Sequence, residues 1–174
     1  MKEVNFLKSI IICTALFAVS ATVSALVGKM IITDTTYFAV SAENHLSGVS
    51  EIVNRLKDVS EVTLFQLLIL VLAGFSVLSL VTSSLVSAVR GVTFGYCAAT
   101  ASNGAVTAEG ILPVGTCYAI TSVVVIIFSA IAVSFSSRVR EKGLEVCQVS
   151  KYIAAFFAFS GIAVLIDGAR LLFV

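Results

Sequence analysis

Arg90 to Tyr118 reads RGVTFGYCAATASNGAVTAEGILPVGTCY. These 29 residues hold five of the eleven glycines, the only proline and one acidic residue, Glu109, among side chains that are otherwise mostly apolar or small. Long apolar runs lie on both sides. Asn103-Gly104 is a helix breaker, and Ala105 to Gly115 is too short and too rich in breakers to cross a bilayer on its own. That segment is either a loop or a re-entrant element whose freed backbone groups, at Pro113 and Gly115, need buried protein or water around them. Glu109 weighs against depth, since an acidic residue at the bilayer centre costs about 2.5 to 3.5 kcal/mol unless paired.

Beyond this stretch the chain is apolar almost throughout. Over 174 residues, 59% are hydrophobic and 12% charged, with a mean hydropathy of +1.09, far outside the range of soluble domains. An integral membrane protein is the class that fits. Eleven Lys and Arg against ten Asp and Glu leave no charge excess, and no basic run, that would recruit nucleic acid. Cys13, Cys97, Cys117 and Cys147 stand singly, with no CxxC pair and no histidine at metal-ligand spacing. They read as small apolar packing residues, with a Cys97 to Cys117 bridge near the outer face left open. No catalytic residue, cofactor site or metal site is expected.

In order, Lys2 and Lys8 lead the apolar run Ile10 to Val27, the first span, over about residues 8–28. A cleavable signal peptide is the rival reading, because the run ends near Val23, Ser24 and Ala25, a small-residue cleavage pattern. Ser20, Ser24 and Gly28 lie four apart and offer a stripe for close helix contact. Residues 29–62 form the one long polar segment, acidic overall and so placed outside. Within it Leu46, Val49, Ile52, Val53, Leu56, Val59 and Val62 recur at helical spacing, predicting an amphipathic interfacial helix or a partner-binding face. His45, the sole histidine, falls at its start and reads as solvated.

The second span covers about residues 63–82, with the next turn at Ser83-Ser84 or at Arg90. The third covers about 84–103, where Ser87, Gly91, Gly95, Ala99 and Asn103 fall four apart on one face. The fourth, about 116–137, carries Ser122, Ser129 and Ser136 seven apart, either a left-handed helix contact or a serine-lined polar pathway. Arg138, Arg140 and Lys142 follow, with Lys151 beyond them, as the clearest cytoplasmic loop. The fifth span, about 152–173, starts at Tyr152 as an interfacial aromatic. Near its far end Asp167 and Arg170, three apart, are expected to pair. Placing the N-terminus inside puts Lys2, Lys8, Arg90, Arg138, Arg140, Lys142 and Lys151 on the cytoplasmic side. Lys29, Arg55, Lys57 and Arg170 then lie outside, and seven against four predicts five spans with the C-terminus outside. The fold expected is all-α: one transmembrane bundle of five helices, with an amphipathic helix between the first two.

Five spans, the outer segment after the first, Arg-Gly-x-x-x-Gly at Arg90, Gly91 and Gly95, Leu-Pro-x-Gly at Leu112 to Gly115, and IAVSFSSR from Ile131 to Arg138 together resemble the stage II sporulation protein M family. Motif support runs from Thr63 to Arg138. The resemblance implies a multipass scaffold that anchors a peptidoglycan-remodelling complex, with stage II sporulation proteins D and P, in engulfment during sporulation. It implies no cofactor and no chemistry. Many members of that family carry a histidine after the proline and a glutamate four residues beyond; here those places hold Val114 and Tyr118, so an ion or proton role resting on those groups has no footing.

The candidate residues are therefore of two kinds. Gly91, Gly95, Ala99, Ser122 and Ser129 are helix-packing positions. Arg90, Glu109, Asp167 and Arg170 are the polar residues whose membrane placement calls for a functional explanation. A non-enzymatic scaffold is the first reading, with membrane lipid, other membrane or wall-remodelling proteins and a second copy of the chain as candidate partners. A transporter or channel component built on the Asn103 to Gly115 element is the alternative.

Overall fold

A chain in hydrocarbon must satisfy every backbone N–H and C=O within itself, and uninterrupted helices do so. The computed structural model describes residues 2–31, 49–102 and 108–171, and among them the regular structure is entirely helical. The elements are α1 (Lys2–Ile31), α2 (Val49–Gly74), α3 (Ser79–Ser102), α4 (Ala108–Lys142) and α5 (Val146–Leu171). Three stretches are long and apolar enough to cross a membrane: Phe6–Lys29, Gly115–Lys142 and Val146–Ala169. Ser60–Gly74 is a shorter apolar helix.

α4 is the axis of the bundle. Of its apolar stretch 67% is buried, against 6% for α1 and 11% for α5, and it touches each of the other four helices. Around it the outward sides of α1, α2, α3 and α5 are large and apolar, with Val19, Leu72, Leu85, Phe157 and Leu165 all exposed. A soluble protein would not leave such a surface in water; lipid is the solvent that suits it.

The sharpest small-residue contact joins α1 to α3. The position a Cβ would take on Gly91 is filled by Ser20 Oγ and the Phe17 carbonyl, and that on Gly95 by the Ala21 carbonyl. Any side chain at either glycine would push the two backbones apart. Ser24 then donates a 2.7 Å hydrogen bond across the gap to the Val92 carbonyl, and Ala99 and Gly28 are buried further along. The two stripes read from the sequence, Ser20-Ser24-Gly28 and Gly91-Gly95-Ala99, thus lie along one helix contact.

Several boundaries differ from those expected. The amphipathic segment and the second span are one uninterrupted α2 of 26 residues, because nothing between Val59 and Thr63 breaks the helix. The turn into α3 falls at Phe75–Leu78, ahead of both Ser83-Ser84 and Arg90. Tyr152 packs against the last turn of α2 before it: the Tyr152 phenol occupies the space a Cβ on Gly74 would need, and its hydroxyl donates at 2.9 Å to the Leu70 carbonyl. Ser76 closes the turn, accepting from the Leu78 N–H at 3.1 Å, while Ser136 of α4 donates at 2.6 Å to the Ser76 carbonyl. α4 begins at Ala108 and continues through Pro113, which as its sixth residue forfeits only the bond to the Glu109 carbonyl. The backbone from 108 to 115 is therefore helical, not a loop, and continuous with the apolar stretch Gly115–Lys142; residues 103–107 lie outside the described set.

Tyr152 is packed into the bundle. It is 3% exposed, stacked on Phe135 at 4.2 Å and on Phe128 at 5.7 Å, with Phe75 edge-on at 5.9 Å. The aromatic cluster locks the start of α5 to the end of α2. The α4–α5 connection is short, with Gly143 at φ +80° ending α4 and its N–H bonded to the Val139 carbonyl at 2.9 Å.

Candidate functional site

Twelve residues into α3, about three turns from its start, Arg90 sits in the bundle interior at 1% exposure. A guanidinium in such surroundings needs acceptors, and two neighbouring helices supply them. Its Nε–H donates to Gln66 Oε1 of α2 at 2.5 Å, and Nη2 donates to Thr63 Oγ1, one turn earlier on the same helix, at 2.7 Å. Nη1 donates to Thr121 Oγ1 at 3.2 Å and Ser122 Oγ at 3.4 Å, both on α4. Those two hydroxyls pass the polarity on, donating to the Tyr118 carbonyl at 3.0 and 2.7 Å. The Tyr118 ring lies 5.3 Å from the guanidinium carbon, a cation–π contact, and stacks in turn on Phe94.

Every direct partner of Arg90 among the described residues is neutral. Asp167, also buried, lies on α5 and acts on the guanidinium electrostatically. Three helices therefore meet around one cation: α3 supplies it, and α2 and α4 hold its N–H groups. The site lies toward the end of the bundle where α1, α3 and α5 finish and α2 and α4 begin.

Arg90 is thus neither at the cytoplasmic end of a helix nor snorkelling to an interface. The turn at Phe75–Leu78 places it midway along α3, and its basic charge drops out of the tally of cytoplasmic loops. Glu109 lies in the first turn of α4 and Arg170 at the end of α5; their side chains, and hence the expected Asp167–Arg170 pairing, fall outside the described residues, as do His45 and Asn103. Tyr118, at the place where the resemblance leads one to expect a glutamate, presents its ring face to Arg90.

The serines seven apart on α4 form a second polar feature continuous with the first. Ser122 meets Arg90, Ser129 accepts from Ser83 through its carbonyl at 3.5 Å, and Ser136 donates to Ser76. Each step of seven down α4 matches a step of seven up α3, the signature of an antiparallel left-handed contact. Ser87 lies on the same face, donating to the Ser83 carbonyl at 2.9 Å and within hydrogen-bonding contact of the buried Cys13 of α1. All four cysteines are free thiols, so Cys97 and Cys117 are not bridged.

Sequence reasoning found Arg90, Ser122 and Ser129 but missed Thr63, Gln66, Thr121 and the use of Tyr118. Gln66 carried the signal, being the lone amide in the apolar run from Thr63 to Val81. No protein-family model, curated protein or solved structure matches this chain. The likeness to the stage II sporulation protein M family therefore rests on its motifs alone.

Proposed function

We propose that this chain is a five-span membrane scaffold without enzymatic activity, its N-terminus cytoplasmic and its C-terminus outside. The observation that carries the reading is the use to which the buried polar groups are put. Arg90 spends four N–H groups on cross-helix bonds, and Tyr152, Ser24 and Ser136 each tie one helix to another. Groups arranged in this way fix a bundle; a catalytic site would present a nucleophile, a carboxylate pair or a metal set to a substrate.

The orientation is supported by where the exposed basic residues fall. Lys8, Arg138, Arg140, Lys142 and Lys151 are all exposed at the end of the bundle where α1 and α5 begin and α4 finishes, as the positive-inside rule requires of a cytoplasmic face. With that orientation, the polar segment after the first span is the part of the chain proposed to meet partners outside. The motif resemblance supplies the class of partner: peptidoglycan-remodelling proteins of engulfment, among them stage II sporulation proteins D and P.

The test is co-purification of the detergent-solubilised full chain with stage II sporulation proteins D and P, alongside expression timing. Retention of either protein, in material expressed only during sporulation, supports the scaffold. Constitutive expression together with recovery of the chain alone sinks it.

A transport component is the second reading, favoured by one observation: a cation and a carboxylate, Arg90 and Asp167, are both held inside an apolar bundle, where ionisable groups commonly mark a pathway. Solute flux in liposomes that falls with Arg90→Ala and Glu109→Gln would favour it. Flux that is absent, or indifferent to both changes, removes its motive.

A further inference from the structure

Six buried serines lie along α3 and α4: Ser79, Ser83, Ser87, Ser122, Ser129 and Ser136. Four of them donate to carbonyl oxygens. The other two do not: the hydroxyls of Ser79, 1% exposed, and Ser129, 0% exposed, have no hydrogen-bond partner among the described residues. A buried hydroxyl left unmade bears its full desolvation penalty, and here two occur in one contact. The Ser129 carbonyl receives the Ser83 hydroxyl, and Ser79 is one turn, about 6 Å, from Ser83 along α3.

We propose that the α3–α4 seam is hydrated, with a bound water bridging Ser79 and Ser129 as part of a single file that runs from Ser79 to Arg90. The spacing of the hydroxyls carries the extension beyond that pair. Along α3 the polar positions Ser79, Ser83, Ser87 and Arg90 follow one another at three or four residues, about 4.5 to 6 Å, so each gap is one water long. Together they cover about 16 Å of a ~30 Å hydrocarbon core. Water is the ligand that fits, because it both donates to and accepts from hydroxyls and needs two to four polar partners, which adjacent rungs provide. The guanidinium closes the file at its far end, and a fixed positive charge there excludes cations. This inference stands apart from the scaffold reading and holds whether or not that reading does.

Two measurements test it on the full chain in lipid bilayers. In water-edited solid-state NMR, magnetisation from water should reach the Ser79 and Ser129 Cβ signals at mixing times similar to those for Ser150, which is exposed in the first turns of α5. Signals from both that stay dark while Ser150 is saturated overturn the proposal, and this arm needs no variant to fold. In the second measurement, Ser79→Ala and Ser129→Ala each lower Tm by about 2 to 4 °C, and the double variant falls by less than the two together because one water serves both. A dry seam gives the reverse sign: removing an unsatisfied hydroxyl raises Tm, and the two increments add. That result, too, overturns the proposal.

Discussion

Replacing Arg90 with alanine tests whether the guanidinium holds the bundle together. The change removes four hydrogen bonds that join α3 to α2 and α4, and it leaves Gln66 Oε1 and the Thr63 hydroxyl facing a void. At the average of about 0.6 kcal/mol for a side-chain bond inside membrane bundles, those four set a floor of about 2 kcal/mol. The cavity from a large, fully buried side chain adds to this, while the release of a desolvated charge offsets part of it. A net loss of about 2 to 4 kcal/mol follows. Arg90→Lys should fall between wild type and alanine, since an ammonium keeps the charge and some donors but cannot reproduce the planar fork that reaches two helices at once. The assay is reversible unfolding in mixed micelles with increasing denaturing detergent, followed by helical circular dichroism because the chain has no tryptophan. A cycle with Gln66→Ala isolates the shared bond, whose coupling should be positive. The reasoning is refuted if Arg90→Ala unfolds at the wild-type midpoint or above it, or if Arg90→Lys proves the weaker of the two.

Other perturbations discriminate between contacts. Gly95→Val should separate α1 from α3 and cost about 1 to 3 kcal/mol, the usual range for overpacking, whereas Gly161→Val, where a Cβ meets nothing within 4 Å, should leave the unfolding midpoint unchanged. Tyr152→Phe removes the bond to the Leu70 carbonyl but keeps the stacked ring, so a loss of about 1 kcal/mol is expected, clearly less than for Tyr152→Ala, by the same unfolding assay. Maleimide in mild detergent should label Cys147 at once and Cys13 only after denaturation, and gel mobility should be unaffected by reductant because no disulfide is present.

What could be read from the sequence was what a single helix face displays. Ser20-Ser24-Gly28 and Gly91-Gly95-Ala99 announce close contact because small residues four apart leave a groove, and the α4 serines announce a seam because seven residues return to the same side. The helix ends were harder. In water, helix termini advertise themselves with caps and polar loops, but Gly74 to Leu78 lies in apolar surroundings and its turn is closed by Tyr152 and Ser136, residues 60 or more positions away. The same distance hid the setting of Arg90: Thr63, Gln66 and Thr121 look like ordinary small or neutral residues until the fold brings 24 to 31 positions of chain together. The packing of Tyr152 was hidden too: an aromatic at the start of a span reads as a headgroup-level residue, and only the neighbouring turn of α2 reveals a pocket for it.

The order in which the residues around Arg90 leave the ribosome has a consequence for biogenesis. Thr63 and Gln66 are already made when Arg90 emerges, but Thr121 follows 31 positions later. At about 5 to 20 residues per second, the arginine waits roughly 2 to 6 seconds for the acceptors of α4. During that interval α3 carries a half-solvated cation, which favours holding it beside the insertion machinery until α4 arrives. Lateral release into lipid would then come for α2, α3 and α4 as a unit, with the seating of α4 as the committing step.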